Sequence, residues 1–128
     1  MTDIDVIDAL WAKIEPIAFI TRDQFARGLE DWNIEVMRAA DGELALVAMT
    51  QGSEFHLDSF GKGIPITPKM INERFEPLMK RYGCVTTRTP IEGEDRQHRF
   101  NRAFGFKEVG RDEFFVHYRK DAPCRSSL

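Results

Sequence analysis

Two segments near the start of the chain carry apolar residues at helical spacing. The first, residues 5–15, has one apolar face, formed by Ile7, Leu10, Trp11 and Ile14. The second, residues 22–32, follows Thr21 and Gln24, which have the spacing of a capping box in which each side chain accepts the other residue's backbone N–H. The pattern therefore predicts two consecutive helices.

From Ile34 onward the apolar positions recur at every second residue, which is typical of strands with one buried face. The alternation stops at Asp41-Gly42 and then resumes, which predicts a hairpin. A third strand is predicted over residues 54–60. Phe55 and Leu57 lie on one face of this strand, and His56 and Asp58 lie on the other. Three antiparallel strands in succession are expected.

A long helix is predicted after Thr67-Pro68, because threonine caps helix N-termini and proline is favoured at the first helical position. Its buried stripe consists of Ile71, Phe75, Leu78, Met79 and Tyr82. Pro77 lies inside this helix and predicts a bend, whereas Gly83 supplies the residue that ends it.

The remaining elements are shorter. Residues 85–89 predict a strand, which the right-handed crossover rule makes parallel to the strand before the long helix. A short basic helix is predicted over residues 95–104. Two antiparallel strands are then predicted, over residues 106–108 and 114–118. Strands and helices in this order predict an α+β fold.

Length and composition fit one soluble domain. The 128 residues are 42% hydrophobic and 30% charged, so we expect a single domain over residues 1–128 with frayed ends at 1–4 and 121–128. The net charge of −3 argues against nucleic acid as a partner. An acidic N-terminus and the lack of a long apolar run argue against secretion and membrane insertion, and two unpatterned cysteines favour the reducing cytoplasm.

The run His98-Arg99-Phe100-Asn101-Arg102-Ala103-Phe104-Gly105-Phe106 resembles the C-terminal half of GNAT acyl-CoA N-acyltransferases, in which an amphipathic helix ends in an aromatic-x-x-x-Gly-Phe turn. The resemblance spans residues 43–119 and is strongest over 99–110. It implies a GNAT-like fold: a central, mixed, mostly antiparallel twisted sheet of about six strands flanked by four helices.

In that family the loop before the long helix binds the pyrophosphate of acetyl-CoA or another acyl-CoA. The corresponding run here is Gly61-Lys62-Gly63-Ile64, in which glycine lets the backbone approach a phosphate and lysine adds a cation. The run departs from the family pattern at its flanks, where Phe60 replaces Arg or Gln and Pro65 replaces a small residue.

The resemblance further implies direct transfer of an acetyl group to an amine of a small molecule or peptide. Glu54 and His56, on the strand before the loop, are the candidate bases. Asn101 stands where the family usually has the tyrosine that protonates the departing thiolate. It offers a hydrogen bond to the cofactor's sulfur but is a poor acid.

Other features leave alternatives open. Arg96, His98, Arg99 and Arg102 on the short helix fit a solvated face better than a site for a 3′-phosphate or RNA, since no stacking aromatics lie between them. Phe114-Phe115 in the final hairpin fit core packing and a sheet-edge contact better than a ligand site, and pairing of two subunits at that edge is a further alternative. The three histidines lack metal-ligand spacing, so no metal site is predicted.

A second overall interpretation also follows from the sequence. The short chain and the missing tyrosine are similar to small GNAT-like proteins of tailed bacteriophages, some of which are virion components. This similarity implies a catalytically inactive interaction protein that binds a partner in the phage particle or the host.

Overall fold

A computed structural model describes residues 3–17, 19–61 and 64–123. The described residues form four α-helices and six strands, with two 3-10 segments at Glu15–Ile17 and Leu29–Asp31. In chain order the elements are α1 (Ile4–Ile14), α2 (Arg22–Gly28), β1 (Asn33–Arg38), β2 (Leu44–Gln51), β3 (Glu54–Ser59), α3 (Pro68–Tyr82), β4 (Cys84–Pro90), α4 (Asp95–Ala103), β5 (Lys107–Arg111) and β6 (Phe115–Asp121).

The six strands form one sheet in the order β1-β2-β3-β4-β6-β5. β1 pairs with β2, β4 with β6, and β5 with β6 in antiparallel fashion, whereas β3 and β4 are parallel, with Glu54 opposite Thr86. The α+β fold class, the six mostly antiparallel strands and the four helices predicted from the sequence are therefore confirmed.

Two compact units divide the chain. The first contains Met1–Gln51 and His56–Pro65, and the second contains Gly52–Phe55 and Ile66–Leu128. The division falls within β3, so this strand contributes its first residues to the second unit and the rest to the first.

The core of the first unit joins α1 to β2. The buried side chains are those of Val6, Leu10, Leu29, Leu44, Val47 and Met49. Outside this core, the Arg38 guanidinium donates to both carboxylate oxygens of Asp5, at 2.8 and 3.1 Å. The predicted capping box is present: Gln24 N donates to Thr21 Oγ1, and Thr21 N donates to Gln24 Oε1.

The core of the second unit is aromatic. The Phe75 ring of α3 lies 5.3 Å from that of Phe55 and 5.6 Å from that of Phe106, both at right angles. Such edge-to-face contacts add to the free energy of burial. On β4, Val85, Thr87 and Thr89 are buried while Arg88 is exposed, so one face of the strand packs inward and the other faces out.

The signals that were predicted to begin and end α3 act as expected. Thr67 Oγ1 accepts Met70 N at 3.2 Å, and Gly83 takes a left-handed φ of 74° while its N–H donates to Met79 O at 2.9 Å. The helix continues through Pro77. The predicted frayed ends fall partly on residues 1–2 and 124–128, which lie outside the described part of the chain. No helix within residues 3–17, 19–61 and 64–123 is long and apolar enough to cross a membrane.

Candidate functional site

Glu54 lies at the edge of a cavity in the second unit. Its Oε2 is 3.2 Å from Arg88 Nε, and the carboxylate side chain is one quarter exposed. The cavity has a volume of about 270 Å³ and is lined by Glu54, Thr86, Thr87, Arg88, Val109, His117 and Tyr118. The arrangement combines a carboxylate, a guanidinium and an imidazole at one concave surface.

The imidazole at this cavity is held by an aspartate. His117 Nε2 lies 2.7 Å from Asp112 Oδ2, while Asp112 Oδ1 accepts the backbone N–H groups of Phe114 and Phe115, each at 2.8 Å. The hydrogen bond from His117, helped by those two N–H groups, lowers the pKa of Asp112 to about 2. A carboxylate that stays charged at neutral pH orients the ring, which is the arrangement of a general base.

The sequence interpretation missed this pair. Asp112 was recognisable as a residue that caps the turn after it, because its side chain reaches the N–H groups two and three residues on. His117 lies opposite Arg88 because of the register of β4 on β6, which aligns these two residues although they are 29 positions apart in sequence. No local pattern indicates such a pairing.

His56 belongs to the first unit, whereas Glu54, Asp112 and His117 belong to the second. Its half-buried ring is 5.6 Å from that of Trp32, inclined by 58°. Lys13 in the same unit donates to Ser59 O at 3.0 Å and lies 4.5 Å over the Phe60 ring. His56 therefore has an aromatic neighbour in Trp32, and Lys13 is bound near the end of the same strand, at Ser59.

The candidate phosphate loop follows β3. Phe60 N donates to Ala45 O at 2.9 Å, and the Phe60 ring packs against the core of the first unit. Gly61 is exposed and has φ 71°, a conformation that glycine adopts without strain. Lys62 and Gly63 lie outside the described residues. Ile64 is half-buried.

Asn101 is almost completely buried, with 1% of its surface exposed. Its Nδ2 donates to Thr89 Oγ1 at 2.9 Å, its Oδ1 accepts Gln97 Nε2 at 3.0 Å, and its backbone oxygen accepts Phe106 N. Both ends of the side-chain amide thus have protein partners. These bonds fasten α4 to β4 and to the turn before β5.

His98 does not lie on a solvated face, so that part of the interpretation of the basic helix is wrong. The ring is 8% exposed, with Nδ1 2.5 Å from the hydroxyl of Tyr118 and Nε2 2.8 Å from Pro90 O. The helix turns this position toward the sheet and leaves Arg96, Arg99 and Arg102 exposed. Within the described residues, no group of three or more potential metal ligands occurs.

Two solved structures are among those similar to this chain. A GNAT-family acetyltransferase from Listeria monocytogenes 4b F2365 matches with a TM-score of 0.57 and 11% identity, over 92% of this chain and 86% of that one. A putative acetyltransferase from Agrobacterium tumefaciens matches with a TM-score of 0.45 and 18% identity, over 95% and 97%. No family model and no curated protein matches the sequence. The first likeness identifies the fold as GNAT.

Proposed function

We propose that the chain binds acetyl-CoA or another acyl-CoA and transfers the acyl group directly to an amine of a small molecule or peptide. The observation that carries the proposal is the position of the glycine run in a GNAT fold, between β3 and the 15-residue helix α3. Gly61 in its left-handed conformation and the Thr67 cap of α3 support this assignment.

The physical basis for phosphate binding is the backbone of this connection. Glycines leave N–H groups open to an anion, and the N-terminus of a long helix adds a partial positive charge. We assign the pyrophosphate to Gly61, Lys62, Gly63 and Ile64. Pro65 contributes no N–H, so the loop has one donor fewer than an otherwise similar loop.

We assign removal of the acceptor's proton to Glu54 or His56. Either group would take a proton from an ammonium and deliver a neutral amine to the thioester, whose breakdown releases CoA thiolate and the N-acyl product. The contact of Asn101 with the cofactor's sulfur stays a prediction. The hydrogen bonds that Asn101 makes to Thr89 and Gln97 give it a structural role in any case.

Calorimetric titration with acetyl-CoA tests the binding step. We expect saturable binding by the native chain and its loss in Gly63→Trp, because an indole side chain would fill the space that a phosphate needs. Gly28→Trp is the control, since Gly28 has a helical backbone conformation with φ −62° and open space around it. The absence of binding at millimolar acetyl-CoA would overturn the proposal.

Release of free thiol in the presence of a panel of amines tests the transfer step. Glu54→Gln and His56→Gln should each leave the affinity for acetyl-CoA unchanged. The variant that removes the catalytic base should also lower kcat. If neither substitution lowers kcat in an active protein, the assignment of the base is wrong. The His117→Gln variant extends this comparison to the imidazole at the 270 Å³ cavity.

A second candidate function is an interaction module without catalysis, for example a phage particle or host-binding protein. The two tyrosines favour it: Tyr118 is buried and bonded to His98, and Tyr82 is exposed at the end of α3. A stable complex with a partner or a second copy, together with no thiol release from acetyl-CoA, is the expected result. Turnover with any amine would exclude it.

A further inference from the structure

A groove of about 410 Å³ lies in the second unit, on the side of α4 that faces β5 and β6. Its lining includes the guanidinium-bearing residues Arg99 and Arg102 of α4 and Arg111 of β5. Arg99 and Arg102 are three positions apart on the helix, so their side chains project from the same face. The groove thus concentrates three cations within a chain whose net charge is negative.

The opposing charges do not cancel this excess. Asp95 is the carboxylate in the groove lining, and Glu108 outside it pairs with Arg111. The hydrogen bond to Arg111 lowers the pKa of Glu108, and the charge of Arg102 lowers it further, so these groups lie within electrostatic reach of one another. Three guanidiniums face two carboxylates, which leaves an excess of positive charge centred on Arg99 and Arg102.

The wall of the groove is rigid. Pro90 O accepts a hydrogen bond from His98 Nε2, so in the neutral ring Nδ1 accepts the proton of the Tyr118 hydroxyl. Val116, also in the lining, is 2% exposed. A preformed wall means that ligand binding orders only the arginine side chains, which keeps the entropic cost low.

Stabilisation of α4 alone does not account for both arginines. Arg102 lies in the last turn of the helix, where a cation interacts favourably with the helix dipole. Arg99 lies one turn earlier, where that effect has faded. Its exposed guanidinium lies at the concave surface together with that of Arg102, where both are available to a ligand.

We propose that this groove binds a small phosphorylated anion, distinct from acyl-CoA, whose phosphate is held by Arg99 and Arg102. Guanidinium groups match phosphate through paired N–H···O bonds, and two of them supply the charge that a phosphate dianion needs. A volume of about 410 Å³ fits a phosphate with a sugar-sized group attached. The site would make the protein responsive to a metabolite that is neither cofactor nor acceptor.

Titration with inorganic pyrophosphate, followed by calorimetry and by amide NMR shifts, tests the site. Arg99→Gln and Arg102→Gln should each weaken binding about tenfold or more, because each removes a charge-assisted contact. Arg96→Gln is the matched control, because Arg96 is exposed on the same helix but outside the groove. Equal weakening by all three variants, or no saturable binding by the native chain, would overturn the proposal.

A parallel titration with acetyl-CoA separates this site from the cofactor site. Arg99→Gln should bind acetyl-CoA as the native chain does; a loss equal to that for pyrophosphate would place a phosphate of CoA in the groove and refute the proposal. If Arg99→Gln and Arg102→Gln weaken pyrophosphate binding while the native chain does not bind acetyl-CoA, the proposed acyltransferase function fails while the groove stands. Tight binding of an RNA oligonucleotide that also depends on Arg96 would identify an extended nucleic-acid surface instead.

Discussion

Buried polar side chains attach α4 to the sheet of the second unit. Asn101 bonds to Thr89, and His98 is held between Tyr118 and the carbonyl of Pro90. None of the buried side-chain polar atoms in the described residues lacks a partner. Because an unpaired buried polar group costs more than the bond contributes, each of these residues is sensitive to replacement.

Replacing Asn101 by the tyrosine that the resemblance leads one to expect there should destabilise the protein. Asn101→Tyr removes two side-chain hydrogen bonds and forces a larger ring into a site that is 1% exposed, at a cost of about 3 kcal/mol. Urea unfolding measures the change. Arg96→Tyr, on the exposed side of α4, should change the free energy of unfolding by less than about 0.5 kcal/mol. A variant as stable as the native chain would contradict the burial of this position.

Asp112 should make stability depend on pH in the acid range. Its pKa in the folded chain is lowered to about 2 by His117 and two backbone N–H groups, from a value of about 3.8 when free of them. A lowered folded-state pKa means that the contribution is complete above about pH 4 and is lost as the pH falls toward 2.

Unfolding of the native chain and Asp112→Asn at several pH values checks this dependence. The stability difference between them should be largest at neutral pH and should shrink between about pH 4 and pH 2. His117→Gln should remove part of the dependence, since the N–H groups of Phe114 and Phe115 still bond to the carboxylate. A difference that is constant with pH would mean that the carboxylate is not held as described.

At the scale of elements, the helix caps were predicted correctly because they depend on residues close together in sequence. The cap at Thr67, the left-handed Gly83 and the capping box at Thr21 depend on residues within a turn of each other, and all three are present as predicted. The second helix is shorter than predicted, because its last turn tightens into the 3-10 segment Leu29–Asp31.

Fewer features of the candidate site could be predicted from local sequence signals. Period-two spacing placed Glu54 at an outward position of its strand, and the cavity there is consistent with that prediction. The alignment of His117 with Arg88 depends on strand register, and the burial of His98 and Asn101 depends on which face of α4 meets the sheet. Both are decided by contacts between residues distant in sequence, which a short amphipathic helix does not specify.

Pro77 should limit the stability of α3. It occupies an exposed position inside the helix, where it donates no hydrogen bond to the carbonyl four residues earlier. Pro77→Ala should therefore stabilise the chain by about 2 kcal/mol, after allowing for the greater freedom of the unfolded chain. Thermal unfolding of the native chain and of Pro77→Ala measures this gain in stability. Pro68→Ala, at the first helical position, is the control and should show no gain, since proline is well suited there. Equal gains would refute the positional argument.

At the scale of the whole molecule, one strand belongs to both compact units. β3 contributes Gly52–Phe55 with the preceding turn to the second unit, and its residues from His56 onward to the first. Loss of structure in either unit would disturb a strand that the other unit also contains. We therefore propose that residues 1–128 unfold as a single domain.

The two tryptophans make this proposal testable, because Trp11 and Trp32 both lie in the first unit. Phe75→Ala, in the core of the second unit, should cost about 3 kcal/mol and shift tryptophan fluorescence and far-ultraviolet circular dichroism to the same lower midpoint. Leu10→Ala, in the core of the first unit, should shift both signals together as well. If Phe75→Ala lowers the dichroism midpoint while the fluorescence transition stays in place, the units unfold separately, and the single-domain proposal is wrong.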